Sequence, residues 1–113
     1  MVQHQARLDA TFGALADGTR RGVLERLGRG EASISELAER FDMTLTGMKK
    51  HVHVLEEAGL VTTEKQGRVR TCRLGPRRLE EEAAWIDGYR RMLEARLDRL
   101  GEFLAHEKKG EDT

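Results

Sequence analysis

A chain of 113 residues fits one domain with a modest core and leaves little room for an appended enzyme. Aromatic residues are only 4% of it, so the core must be built from Leu, Val, Ile, Ala and Met. The single cysteine, Cys72, excludes an internal disulfide and suits a reducing compartment. The opening MVQHQARLDATF lacks the plan of a signal peptide, and no apolar run reaches membrane-spanning length. The expectation is a cytoplasmic protein with no membrane partner.

The net charge is zero, but its distribution is uneven. Residues 1–43 carry six basic and seven acidic side chains, 44–78 carry eight and three, and 79–113 carry six and ten. Steering of a polyanion depends on local potential, so the middle segment is the candidate contact region. The acidic excess falls at the C-terminal end.

Residues 8–16 predict a short helix with Leu8, Phe12 and Leu15 on one face. Asp17 follows as a cap whose carboxylate accepts backbone N–H groups near Thr19 and Arg20. Val23, Leu24 and Leu27 stripe the second helix, and Gly28 to Gly30 end it, so the N-terminal helices occupy 8–31. Ser33 and Glu36 have capping-box spacing, and Ile34, Leu37, Ala38 and Phe41 recur at three and four. A turn at Asp42–Met43 leads to Thr44, the expected cap of a fourth helix. Met48, Val52 and Leu55 form its buried face, and Ala58–Gly59 close it. Segments 60–65 and 69–74 are β-prone and flank Gln66–Gly67, which predicts a hairpin within 60–74. After Pro76 a long helix is expected over 77–109, with 110–113 as a disordered tail.

The order of these elements predicts a mainly α fold with a small β-hairpin: a helix-turn-helix over 33–58 followed by a wing, all within a single domain of 1–113. Such an arrangement places one helix in the DNA major groove. Thr44 and Leu45 stand at the tip of that helix, and Thr46, Gly47, Lys49, Lys50 and His53 face away from its apolar stripe. Lysines can donate to guanine O6 and N7, threonine hydroxyls to a base or phosphate, and Leu45 or the Thr46 methyl can meet a thymine methyl. Gly47 permits close backbone approach. On the hairpin, Lys65, Gln66, Arg68 and Arg70 can grip phosphates or enter the minor groove, although a charged edge strand also serves solubility. His51 borders the apolar face, where partial burial with a backbone hydrogen bond is expected.

The long helix is striped by Trp85, Ile86, Tyr89, Leu93, Leu97, Leu100 and Leu104. It is longer than so small a domain can cover, which predicts a partner subunit. Zinc needs three or four converging ligands, and the lone cysteine with histidines near opposite ends supplies none, so neither metal nor cofactor is expected. Cys72 shares a strand face with Leu74 and reads first as a small buried residue, with a redox role as the alternative. The sequence carries no nucleophile motif, phosphate loop or carboxylate pair at catalytic spacing, which points away from an enzyme.

The runs ALADGTRRGVLERL, ISELAERFDMTLTGMKKHVHVLEEAGLV and GRVRTCRL resemble the ArsR/SmtB family of small winged-helix repressors. The resemblance implies a homodimer built from the first and last helices, which adds Leu8 and Phe12 to the dimer residues. It also implies operator binding and release by an effector, a metal ion in many members. Ser35 to Arg40 stand where metal-sensing members carry their cysteine motif, and the paired acid and histidine ligands of the last helix are missing. The likeness is therefore to the branch without metal ligands. Gly18 replaces a common proline, and Thr46-Gly47 and Lys49-Lys50 depart from the usual reading-helix residues, so no operator sequence is inherited. The sequence predicts a dimeric repressor on an inverted-repeat operator in double-stranded DNA, released by an unidentified signal or small-molecule effector. Its rivals are a winged-helix module that docks proteins and a ligand- or redox-responsive regulator using Cys72.

Overall fold

The computed structural model describes residues 2–111, with side chains described over 5–107. Helices α1 (Val2–Leu15) and α2 (Gly18–Leu27) are followed by a two-residue strand β1 (Ala32–Ser33). Helices α3 (Ile34–Arg40) and α4 (Leu45–Glu57) come next, then β2 (Val61–Gln66), β3 (Val69–Leu74) and α5 (Glu80–Glu111).

Each short helix starts on a residue that satisfies otherwise orphaned N–H groups. Asp17 Oδ2 accepts from the Arg20 amide at 3.0 Å, Ser33 Oγ from Glu36 at 3.0 Å, and Thr44 Oγ1 from Gly47 at 3.0 Å. The amide of Arg20, followed by the nearby His51 and Arg20 side chains, holds the Asp17 carboxyl below its ordinary range against the opposing effect of burial. Its contribution to stability is therefore present above the ordinary carboxylate range and fades as pH falls through the lowered value.

The ends of α3 and α4 are both Schellman closures. After α4, Leu60 N–H donates to Leu55 O at 2.9 Å and Gly59 N–H to Glu56 O at 2.9 Å, with Gly59 at φ +75°. After α3, Met43 N–H donates to Ala38 O at 2.8 Å and Asp42 N–H to Glu39 O at 3.2 Å, with Asp42 at φ +53°. An aspartate therefore occupies the left-handed position of the turn in the helix-turn-helix.

The sheet is three-stranded and antiparallel, ordered β1-β3-β2. Ala32 pairs with Cys72, and β2–β3 run in register from Val61 opposite Leu74 to Gln66 opposite Val69. The sequence predicts two strands. The third escapes because two residues carry no period, and because Ser33 both ends β1 and caps α3. Met48, Leu55, Leu37, Val23 and Val61 are fully buried with Thr11 and Cys72, so α2, α3, α4 and the sheet share one core. Fully burying such aliphatic side chains stabilises by roughly 1.5–3 kcal/mol each.

The chain divides into two compact units with the boundary between Arg78 and Leu79, whereas the sequence reading places 1–113 in a single domain. The second unit is formed by the helix α5. α5 has 32 residues, about 48 Å at the α-helical rise. It begins at Glu80 and not at 77, after Leu79 in the left-handed region at φ +58°. The helix extends to Glu111, within the expected 110–113 tail; Asp112 and Thr113 lie outside the described residues. Its first turn carries Glu80, Glu81 and Glu82, which suit the positive end of the helix dipole. Among the described residues, no helix is long and apolar enough to cross a membrane.

Candidate nucleic-acid interface

The outward face of α4 follows from its buried one. Met48, Val52 and Leu55 are fixed in the core, so the helical period turns Lys49, Lys50 and His53 outward, and all three are exposed. Thr44, Leu45 and Thr46 are exposed at the N-terminal tip, where Leu45 shows 44% of its surface. The Thr44 hydroxyl accepts from Gly47 N–H as the helix cap, and its own O–H remains available to donate to a ligand. Gly47 is half-buried, and a Cβ there would stand 3.1 Å from Thr44 Oγ1 and 3.3 Å from Met43 Cε. Its missing side chain thus leaves room for the cap itself.

The wing stands beside this helix. Lys65, Gln66, Arg68 and Arg70 are all exposed, and Lys65 lies directly across the ladder from Arg70. Arg70 Nη1 donates to Thr63 Oγ1 at 2.9 Å, and Thr63 Oγ1 donates to Glu56 Oε2 at 2.7 Å. This relay ties the wing to the C-terminal half of α4. Arg73 is engaged elsewhere, 3.0 Å from Glu64 and 3.3 Å from Glu31, so its charge is compensated locally.

Between α4 and the wing runs an open groove of about 610 Å³. Of the residues singled out from sequence, Leu45, Lys49, His53, Lys65, Arg68 and Arg70 line it together. Thr44, Thr46, Gly47, Lys50 and Gln66 lie outside its lining. Ser33, Ser35 and Glu56 line the groove and were not among the predicted residues. Ser33 and Ser35 flank the α3 cap, a position that carries a structural signal and no binding signal in sequence. His53 Nε2 stands 3.7 Å from Glu57 Oε1.

His51 is partly buried as expected, but side chains surround its ring where a backbone partner was predicted. Arg20 Nη1 donates to His51 Nδ1 at 3.3 Å, and Asp17 Oδ2 is 3.9 Å away. Arg20 also donates from Nε to Ala14 O at 2.8 Å and from Nη2 to Gly13 O at 3.0 Å. The end of α1 is thereby joined to the middle of α4.

Burial pushes the Cys72 thiol up to about 11, with the Glu56 carboxylate adding to the shift. Cys72 is fully buried, while Leu74 on the same strand face is 45% exposed. Because the folded thiol loses its proton at a higher pH than a free one near 9.0, its contribution to stability is whole below that value. It is lost as pH rises toward 11. A thiol kept protonated and out of solvent is a poor nucleophile, which disfavours the redox reading. Among the described residues, no group of three or more His, Cys, Asp or Glu side chains could hold a metal ion.

The expected dimer residues divide. Trp85, Ile86, Tyr89, Leu93, Leu97, Leu100 and Leu104 are all exposed, and Met92 and Phe103 extend the patch beyond the predicted set. Trp85 and Tyr89 stack with ring centroids 5.8 Å apart and planes within 3°. Leu8, by contrast, is already buried within one chain and has little surface left for a partner, while Phe12 is half-buried.

A helix-turn-helix with an exposed basic second helix, followed by a basic two-stranded wing, defines a winged helix-turn-helix DNA-binding protein. Comparison with known proteins narrows the class. Residues 15–64 match the helix-turn-helix domain family. The chain is 44% identical over 69 residues to the uncharacterized HTH-type transcriptional regulator YuzN of Bacillus subtilis, covering 55% of this chain and 75% of that protein. It is 47% identical to the solved ArsR family transcriptional regulator RHA00566, covering 80% of this chain and 93% of that one with a TM-score of 0.73. An ArsR-like transcriptional regulator from Rhodococcus sp. RHA1 matches at 31% identity and a TM-score of 0.70, over 88% of this chain and 93% of its own. The chain belongs to the ArsR family of transcriptional regulators.

Proposed function

We propose that this regulator is a homodimeric repressor that reads an inverted-repeat operator through α4 and grips its phosphates through the wing. The observation that carries the reading is the groove in which Lys49 and His53 of α4 converge with Lys65, Arg68 and Arg70 of the wing. Leu45, Thr46, Lys49 and Lys50 supply base-edge contacts from the exposed face of α4, and Thr44 donates to a phosphate at its tip. The dimer rests on the exposed apolar stripe of α5, with Leu93, Leu97, Leu100 and Leu104 as its centre. In such a dimer the two reading helices enter successive major grooves about 34–36 Å apart, which is why the operator is an inverted repeat. Operator placement over a promoter makes the protein a repressor, and release follows an effector that the chain's chemistry leaves open. The reaction is binding and not catalysis, and the compartment is the cytoplasm.

The double variant Lys49→Ala with Lys50→Ala tests the reading face. Loss of roughly 10–100-fold in operator affinity at unchanged dimer mass is expected, at about 1–3 kcal/mol for a specific base contact. Wild-type affinity in the double variant would remove α4 from the assignment and favour the protein-docking alternative.

A further inference from the structure

Two arginines of β3 are held in different ways. Arg73 meets carboxylates directly, at 3.0 Å from Glu64 and 3.3 Å from Glu31. Arg70, three residues earlier and so on the other face of the strand, is held by a hydroxyl: its Nη1 donates to Thr63 Oγ1 at 2.9 Å. Thr63 pairs with Cys72 in the ladder and Lys65 with Arg70, so Thr63 is the diagonal neighbour of Arg70 on one face of the hairpin. A threonine hydroxyl has one proton and two lone pairs. The Thr63 proton is committed to Glu56 Oε2 at 2.7 Å, which leaves lone pairs for the arginine. The carboxylate sets the hydroxyl, and the hydroxyl sets the guanidinium.

Among the described residues lining the α4–wing groove, Glu56 is the one acid, set among Lys49, His53, Lys65, Arg68 and Arg70. It follows Lys49 by seven positions and His53 by three, so the three share a face of α4. A carboxylate in direct contact with Arg70 would neutralise it and compete with a phosphate, as Glu64 and Glu31 do at Arg73. With the hydroxyl interposed, the guanidinium is oriented by a neutral acceptor and keeps its charge. Lys65 and Arg70 are also like charges directly across the ladder, an arrangement that drives the two side chains apart unless one of them is held.

We infer that Thr63 is a positioning residue for DNA binding: with its proton fixed by Glu56, its hydroxyl holds Arg70 in the groove with a charge free for a backbone phosphate. The inference rests on the phosphate-gripping role of the wing proposed above. An exposed arginine gives up rotamer freedom when it binds, and holding it beforehand reduces that loss.

The test measures the affinity of full-length protein, at low salt, for an operator selected from random DNA and for a mixed-sequence duplex of the same length. Wild type, Thr63→Val, Arg70→Ala and the double variant form a cycle. Thr63→Val keeps side-chain volume, removes the hydroxyl and is expected to lower affinity for both duplexes about three- to tenfold. In the Arg70→Ala background the same change is expected to alter affinity by less than about twofold. Thr63→Ser restores the hydroxyl and should bind within about twofold of wild type. If Thr63→Val fails to fold, Thr63→Ala takes its place in the cycle. A loss of the same size with and without Arg70 would overturn the inference, because that is what a merely structural residue gives. So would wild-type or raised affinity in Thr63→Val, or a serine variant no better than the valine one. Wild-type affinity in Arg70→Ala, or a folded wild-type protein that binds neither duplex, would instead overturn the wing's role, and the inference with it.

Discussion

Helices α4 and α5 carry the same kind of apolar stripe and meet opposite fates. Met48, Val52 and Leu55 of α4 are at most 3% exposed, whereas Leu93, Leu97 and Leu100 of α5 expose 41–66% of their surface. Apolar residues at intervals of three and four establish a helix and the side it buries, but not what covers that side. For α4 the cover is the core of its own unit, which leaves its polar face free to read a ligand. For α5 the stripe is exposed, and in the proposed dimer the second subunit is what covers it. One helix is anchored in the core of its unit with its polar side outward, and the other leaves its apolar stripe exposed.

Placing charge on the α5 stripe should break this contrast most severely. Leu93→Glu with Leu97→Glu is expected to convert the dimer to monomer by mass and to lower operator affinity by more than about 100-fold, since a half-site alone forfeits one head's contacts. Circular dichroism should show that the first unit still unfolds cooperatively. An unchanged dimer mass would move the interface away from the stripe. The opposite experiment truncates the covered stripe. Leu55→Ala should destabilise the fold by about 2–5 kcal/mol, read from denaturant midpoints, because a fully buried leucine leaves a cavity. A cost below 1 kcal/mol would be inconsistent with the packing around α4.

A finer distinction separates reading helix from wing. Arg68→Ala should weaken binding to all DNA sequences alike and reduce the salt-dependence slope by about one, as for a phosphate contact. A loss confined to one operator sequence would give Arg68 a base-reading role. The smallest effect is expected at the turn before α4. Asp42→Gly relieves a left-handed side-chain residue at φ +53° and should change stability by about 1 kcal/mol or less, toward greater stability if strain outweighs the entropy of the added glycine. A clear loss would mean that the Asp42 side chain contributes something specific to the turn.

Much of the fold was legible in the sequence, because its local rules agree with one another. Asp17, Ser33 and Thr44 each cap the helix their spacing predicts, and Gly59 takes the left-handed position that ends α4. The candidate interface was legible to the extent that it depends on helical phase and on the alternation of a hairpin. Long-range partners were not. Arg77 meets Thr11 across 66 positions of sequence and Arg20 meets His51 across 31, and both are arginines whose charge alone suggests solvent or DNA. β1 is too short to show a period, and Leu79 takes a left-handed conformation that its residue type does not advertise. Met92 and Phe103 extend the exposed α5 patch beyond the positions first assigned to it, so the patch is wider than a narrow seam suggests.

The central claim is that the α4–wing groove belongs to DNA. Its most direct test is binding of the purified chain to its own upstream DNA across a salt series, with Lys65→Ala/Arg68→Ala protein run in parallel and mass measured throughout. Specific retention with a steep log–log fall in affinity, made shallower by about two in the double variant, is the predicted result. Retention whose salt slope is the same for wild type and variant would contradict the groove assignment. Failure of a confirmed dimer to retain either upstream DNA or any sequence selected from a random pool at low salt would contradict the claim itself.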